Sequence, residues 1–424
     1  MLAEGEPPMS RGVPGSKMRG SMQEIAATVA GGAGSAMLPA ALRSGVDAVA
    51  ADALLEPWYS CLQERLGGLR LFDSHTHLGC ADPDGSCFDL DGLLGALATV
   101  GARAVVFSLA EPFSYRAAND RMLAAAEASE GRLVAFCRVD PHNGAVAEAE
   151  RALGRGAAGI KLHPRAERFG LGDPAVRRIF AFADERRLPI IVHAGRGIPS
   201  LGADAVELAH AYPRVPLILA HAAIADLAWI WRDAAGQRNL FFDTAWWNTA
   251  DQLAVFALVP PGQILFASDT PYGRTIAAAS VVLRAALATG LSAEQIATVA
   301  GGQLERLLAG LEPVDLGPAP SVPAPAPGPL LERVHTLLVA AAARLTAGYP
   351  ADEYLELARL ACELPAGHPD AAVAGSVRAL LDRHGRYLAT DPPQRGPRVP
   401  GIHLIFVAAA VARTPNLPLP VFAD

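Results

Sequence analysis

Short apolar runs that end in a polar residue, each followed by a stretch with helical spacing, recur along the middle of this chain. The runs are Leu69–Ser74, Arg103–Ala110, Arg132–Val139, Ala158–His163, Leu188–His193, Pro216–His221, Asn239–Thr244 and Gln263–Asp269. Between them lie amphipathic or Ala-rich segments: Leu90–Val100, Ala117–Ser129, Gly144–Arg155, Pro174–Arg186, Ala203–Tyr212, Asp251–Val259 and Ala277–Thr289. Strands alternating with helices imply parallel pairing through right-handed crossovers. Several runs (AVVFSLA, PIIVHA, PLILAH) are apolar almost throughout, as strands covered on both faces should be. Eight such units in about 240 residues predict an α/β fold, a (β/α)8 TIM barrel. A doubly wound open sheet is the competing architecture, but no G-x-G-x-x-G follows the first strand.

The flanks carry a different pattern. Residues 1–22 are rich in Gly, Pro, Ser and Met and read as disordered. Ala40–Ala53 and Pro57–Leu66 have helical spacing, so 1–66 is a disordered start and helical lead-in to a barrel over 67–312. The last barrel helix is expected at Gly301–Leu311. Residues 313–329 then alternate Pro and Ala and read as a semi-rigid spacer. Beyond it, Leu330–Ala347, Asp352–Glu363 and Ala371–Tyr387 have helical periodicity, and Ile402–Ala412 is apolar without a clear period. These segments make 330–424 a helical C-terminal appendage.

Composition narrows the function classes. The chain has 424 residues, 51% of them hydrophobic, which is ample for a large core and predicts more than one domain. Its net charge of −7, with no run of Lys or Arg, excludes an electrostatic nucleic-acid or membrane patch. No apolar run approaches the roughly 18–20 residues needed to span a bilayer, and the N-terminus does not read as a signal peptide. Cys61, Cys80, Cys87, Cys137 and Cys362 are odd in number and scattered, which argues against a disulfide framework and for a cytoplasmic protein. The partner expected is a small-molecule substrate, and a homo-oligomer is left open.

The candidate chemistry sits where the apolar runs end. After Leu69–Phe72 the chain turns polar, Asp73-Ser74-His75-Thr76-His77, and in extended backbone His75 and His77 project the same way. Neutral imidazoles so placed suit zinc and neighbouring transition metals. The ends of the other runs supply Glu111, Asp140, Lys161, His163, His193, His221, Asp243 and Asp269. In a parallel barrel these ends share one mouth, where active sites form. His335, His368, His384 and His403 stand at no ligand spacing and read as surface or helix residues.

FDSHTHLG, GIKLHP, PIIVHAG, LILAHA, ILFASDTPYG and VAGGQLERLLAG occur in an order and spacing that resembles the amidohydrolase superfamily. The likeness is to its amidohydrolase-related branch, which also contains metal-dependent decarboxylases of aromatic acids, and it covers about Leu69–Leu311. The resemblance implies one divalent metal, Zn2+ or else Mn2+ or another transition metal, held by His75, His77, His193 and Asp269. It implies that Asp269 and His221 move protons, and that Lys161, His163 and Arg196 line the substrate pocket. In some branches a lysine at the position of Lys161 is carboxylated and bridges two metals. Asp243 is the candidate to orient a ligand histidine, and Trp246, Trp247 and Tyr272 to wall the pocket. Two positions depart from the pattern: Ala222-Ala223 follows His221 where a Gly-rich turn is usual, and Gln303 replaces an Asn. The reaction implied is hydrolysis of an amide, ester or lactone by an activated water. Non-oxidative decarboxylation is the alternative on the same ligands, and a non-catalytic binding scaffold is the third reading.

Overall fold

A computed structural model describes residues 51–80, 87–111, 114–198, 200–321, 326–390 and 401–421. The disordered start and most of the helical lead-in lie outside the described residues.

The strands are β1 (Phe72–Leu78), β2 (Arg103–Ser108), β3 (Leu133–Ala135), β4 (Cys137–Arg138), β5 (Ile160–Leu162), β6 (Ile190–His193), β7 (Leu217–Ala220), β8 (Leu240–Asp243) and β9 (Ile264–Leu265). Every ladder between them is parallel, in the orders β1-β2-β3 and β4 through β9. Hydrogen bonds outside the regular ladders join the two groups into a ring. At one seam Phe136 N–H donates to Val106 O (2.9 Å) and Ala158 N–H to Ala135 O (2.9 Å). At the other, Ser74 N–H donates to Phe266 O (2.9 Å), His77 N–H to Thr270 O (2.8 Å) and Asp269 N–H to His75 O (2.9 Å). The Asp73 carboxylate crosses the same seam, accepting from the backbone N–H groups of His75 and Ser268, each at 3.0 Å. The fold is a (β/α)8 barrel whose third strand is broken at Phe136.

Side-chain volume explains that break. The Phe136 ring points into the barrel, where a Cβ on Gly159 of the neighbouring segment would stand 2.5 Å from it. Only a glycine lets the two backbones approach across so large an inward ring. Phe72, Val105, Phe107, Ile191, Ile218, Phe241 and Leu265 fill the rest of the interior, and Leu304 and Leu307 plug its lower end. This is a packed core rather than a pore.

β1 begins three residues later than its apolar run and keeps both histidines inside the strand. Its register against β2 slips between Asp73 and Thr76. The extra residue of such a bulge re-aims side chains, here at the strand that opens the mouth.

The helical flanks share one continuous apolar core with the outer face of the barrel. Ile402–Arg413 is a helix whose residues Leu404–Ala412 are all buried. It is apolar all round because it is enclosed all round, which is why its sequence shows no period. Arg284, on barrel helix Thr275–Ala288, is fully buried and donates to Thr414 Oγ1 (2.8 Å), Thr414 O (2.8 Å) and Pro418 O (2.9 Å). Helix Glu56–Leu66 is tied to the same assembly by Trp58 Nε1–H donating to Ser376 Oγ (2.9 Å). The described part of the Pro/Ala segment runs along the barrel, where Ser321 N–H donates to Ala257 O (3.0 Å). Gln303 receives Val314 N–H at 3.0 Å and donates to Val314 O at 3.1 Å, a bracket for that segment. His335 and His384 are buried among the helices rather than on the surface.

Cys80 and Cys87 form a disulfide, against the sequence expectation. Gly79 and Phe88 exchange two backbone hydrogen bonds (3.0 and 2.9 Å), and that antiparallel bridge brings the adjacent cysteines together. No helix among the described residues is long and apolar enough to cross a membrane.

Candidate metal centre

Three ligand atoms converge at the mouth. His75 Nε2 lies 3.2 Å from His77 Nε2, and Asp269 Oδ1 lies 3.3 Å from the first and 3.1 Å from the second. β1 supplies both imidazoles from alternate positions, and the turn after β9 supplies the carboxylate through the closing seam. Four ligands at metal–ligand distances of about 2.0–2.1 Å around a tetrahedral ion stand about 3.3–3.4 Å apart. The observed edges fit that figure.

The tautomers bear on what the triangle can hold. His75 Nδ1–H donates to Asp243 Oδ2 at 2.8 Å, which leaves the Nε2 lone pair facing inward. Burial, reinforced by Lys161 and the neighbouring histidines, pushes the His75 imidazole well below its ordinary pKa. Burial likewise lowers that of His77, against the pull of Asp269. His75 Nε2 and the Asp269 carboxylate therefore stand as acceptors at hydrogen-bond distance of His77 Nε2, whose ring has no other commitment because His77 Nδ1 is buried without a partner. A divalent ion at the centre is the ligand that this donor set fits. Asp269 keeps 20% of its exposure while His75 and His77 keep 1% and 6%, so the carboxylate is on the open side.

Asp243 organises the base of the site. Besides holding His75 it accepts the backbone N–H of His221 (2.7 Å) and of Ala245 (3.0 Å) through Oδ1. Phe107 forms the floor, its ring 5.0 Å from that of His75 and 4.7 Å from that of His77. Lys161 Nζ lies 4.6 Å over the same ring, fully buried and without a hydrogen-bond partner. Burial pulls its pKa down to about 7.

The other histidines form a second group. His163 stacks on His193 with ring centres 3.9 Å apart, and His193 Nδ1 lies 3.0 Å from His221 Nε2. His221 Nδ1–H donates to Ala245 O at 2.7 Å, which leaves its Nε2 an acceptor facing His193 Nδ1. His193 thus stands apart from the triangle of His75, His77 and Asp269, although the ring of His221 between them is 5.0 Å from that of His75. Arg196 is exposed and meets the site through its carbonyl, 3.4 Å from His193 Nε2.

Close backbone geometry keeps the second group in place. A Cβ on Gly195 would stand 2.7 Å from His221 Cδ2 and 3.2 Å from His193 Cε1, so that position has no room for a side chain. His221, Ala222 and Ala223 all have positive φ (62°, 54° and 49°), where non-glycine residues are rare.

Some strand-end residues do other work. Glu111 pairs with exposed Arg121 at 2.6 Å, and Asp140 accepts the backbone N–H of His142. Tyr272 packs its ring edge-on to His77 at 5.5 Å, and Trp247 stacks on Phe406 of the C-terminal helix at 4.9 Å. Sequence reasoning missed a buried network beside the site. Arg138 donates to Glu167 Oε1 at 2.7 and 3.2 Å, Tyr115 donates to the same oxygen, and His163 N–H donates to Oε2 at 3.1 Å. A lone arginine inside the apolar run LVAFCRV was its one signal.

The amidohydrolase family profile matches residues 73–308, and the chain belongs to that family. No curated relative matches it. Among solved structures it is similar to a TIM-barrel protein from Bordetella bronchiseptica, with 15% identity, 57% of this chain and 99% of that one covered, and TM-score 0.48. It is similar also to 5-carboxyvanillate decarboxylase from Sphingomonas paucimobilis (18% identity, 57% and 99% covered, TM-score 0.45). A third is 4-oxalomesaconate hydratase from Rhodopseudomonas palustris (16% identity, 57% and 96% covered, TM-score 0.43).

Proposed function

We propose that this chain is a metal-dependent hydrolase that opens an amide, ester or lactone bond of a small molecule. The observation that carries the reading is the triangle of His75, His77 and Asp269 with its carboxylate on the open side. A divalent ion of the zinc or manganese type, when bound there, supplies Lewis acidity and lowers the pKa of water. Asp269 then stands where it can take the proton of an attacking water, and hydrogen-bond reach is the requirement for that role. His221 faces the same space from β7 and is placed to hold or return a proton to the leaving group. Its Nδ1 is committed to Ala245 O, so a proton it exchanges passes through Nε2, beside His193 Nδ1 at 3.0 Å. Of the ligands implied by resemblance, His193 is proposed to complete the set, next to a triangle that stands without it. His163 and Lys161 line the pocket.

Decarboxylation of a small aromatic or unsaturated acid is a second reading, favoured by the unpartnered Nζ of Lys161, a cation that a substrate carboxylate would satisfy. Turnover of lactones and esters against hydroxybenzoates by zinc- and manganese-loaded protein decides between them. Hydrolysis without carbon dioxide release is the expected result. Carbon dioxide from a hydroxybenzoate with no hydrolysis overturns it, and a wild-type protein that retains no metal under mild purification overturns both.

A further inference from the structure

The candidate ligand Asp269 sits in an unfavourable backbone conformation, φ 59°, which a non-glycine residue adopts only when its surroundings enforce it. At its own position the turn is pinned to β1, through Asp269 N–H donating to His75 O at 2.9 Å. Four residues on, Gly273 N–H returns to Asp269 O at 2.9 Å, and a Cβ on Gly273 would stand 2.0 Å from Ser268 O. The turn then ends at Arg274, the N-cap of helix Thr275–Ala288. Arg274 O accepts the N–H of Ala278 at 2.9 Å and its guanidinium lies 6.0 Å over the Phe88 ring, but its charged partner comes from far away in the chain. Its guanidinium donates through Nε to Asp52 Oδ1 at 3.0 Å and through Nη2 to Asp52 Oδ2, with both side chains buried (6% and 1% exposed).

Asp52 lies outside the segment that matches the family, in the lead-in before β1. It is itself held firmly, because Leu55, Trp58 and Leu62 just after it are buried to 1% or less. We infer that Asp52 is a positioning residue for the metal centre, gripping Arg274 so that the turn presents Asp269 to His75 and His77. This gives the N-terminal lead-in a task beyond packing. Removing the Asp52 charge leaves a buried guanidinium unpaired, which drives Arg274 toward water. The turn moves with it, and Asp269 relaxes out of its enforced conformation.

The inference rests on Asp269 as a metal ligand for its consequence, but its test also reads the turn directly. Asp52→Asn keeps the shape and removes the charge, and Arg274→Lys keeps the charge but loses the two-pronged grip. For each full-length variant, zinc affinity is measured by competition with a chromophoric chelator. Backbone hydrogen exchange of residues 269–275 is followed in zinc-free protein. Zinc affinity falls about tenfold, the scale of losing an outer partner of a ligand, and the amides of Asp269 and Gly273 exchange faster while those of β7 do not. Arg274→Lys gives a smaller change in the same direction. Unchanged exchange over 269–275 in both variants overturns the inference, as does acceleration spread evenly over all strands. A wild type that binds no zinc sinks the metal reading alone, since the exchange comparison still decides this one.

Discussion

The two halves of the barrel mouth solve the problem of buried histidines in opposite ways. On the β1–β9 side, His75 Nε2, His77 Nε2 and Asp269 Oδ1 converge on one point, and His77 has no partner outside the triangle. On the β5–β7 side, His163 stacks on His193, His193 Nδ1 approaches His221 Nε2 and His221 donates to Ala245 O. The first group offers three ligand atoms to one point, whereas the second is anchored to the backbone through His221 Nδ1. Both are desolvated to a similar degree, so burial alone does not distinguish a ligand set from a proton-handling set. What distinguishes them is which nitrogen the protein has already committed.

The largest expected effect follows from breaking the first group. His75→Ala removes the central ligand and leaves Asp243 without its imidazole. Metal content by elemental analysis should fall from about one per chain to near zero, with turnover down at least about 1,000-fold. Metal retained at full stoichiometry would refute the ligand triangle. His193→Ala is the matching cut in the second group. If the triangle holds the ion by itself, affinity drops about 10–100-fold, the range for residues that support ligands. A loss as deep as that of His75→Ala would show that the triangle does not stand without His193.

Gly195→Ala tests the second group without touching its imidazoles. The added methyl cannot fit 2.7 Å from the His221 ring, so the ring must shift or the β6 turn must open. Turnover should fall about 100-fold, the lower end of what a positioned general acid–base group contributes, while metal content stays whole. Simultaneous loss of metal would mean that the two groups are one unit.

Lys161 gives a pH signature to the ground between them. Its folded pKa of about 7 lies below the ordinary lysine value near 10.4. Below pH 7 the lysine is charged both folded and unfolded, and the full burial penalty is present. Between about 7 and 10.4 the unfolded chain binds the extra proton, so this residue makes stability rise with pH. Lys161→Met should flatten that rise in urea titrations at pH 7, 8.5 and 10. A slope equal to that of the wild type would show that Nζ has found an anionic partner.

The sequence made the barrel legible because the strands are apolar on both faces: seven of the eight runs contain their strands and the first overlaps β1. It hid two breaks of regularity. Phe136 splits the third strand because Gly159 allows an inward ring, a pairwise fact that no single-strand pattern contains. β1 keeps its histidines inside the strand because its register slips, which depends on β2. The triangle was readable from H-x-H and the strand-end Asp269, since both obey local geometry. The approach of His193 to His221 was not, for it joins side chains from two strands, one of them held by a carbonyl 24 residues from His221. Ile402–Ala412 was ambiguous for a related reason: full enclosure erases the polar face that reveals a helix.

The smallest effect concerns the turn that follows β7. His221, Ala222 and Ala223 occupy the left-handed region in succession, at roughly 1–2 kcal/mol each for residues with a Cβ. Glycine adopts that conformation without the steric cost but loses more entropy on folding, about 0.4–1 kcal/mol. For Ala222→Gly the two terms leave a net stabilisation of about 0.5–1 kcal/mol, since Ala222 has only a methyl to lose. Urea unfolding of metal-free protein measures it. The functional consequence runs the other way: a glycine widens the range of the turn that aims His221 at His193, so turnover falls by a few-fold while stability rises. A variant that gains stability and keeps full turnover would show that the aim of His221 is set by Asp243 and Ala245 alone. Asp243 accepts the His221 N–H and Ala245 O receives its Nδ1–H, so both anchors lie upstream of Ala222 in the turn or across from it. That would leave the strained alanines with no share in the chemistry.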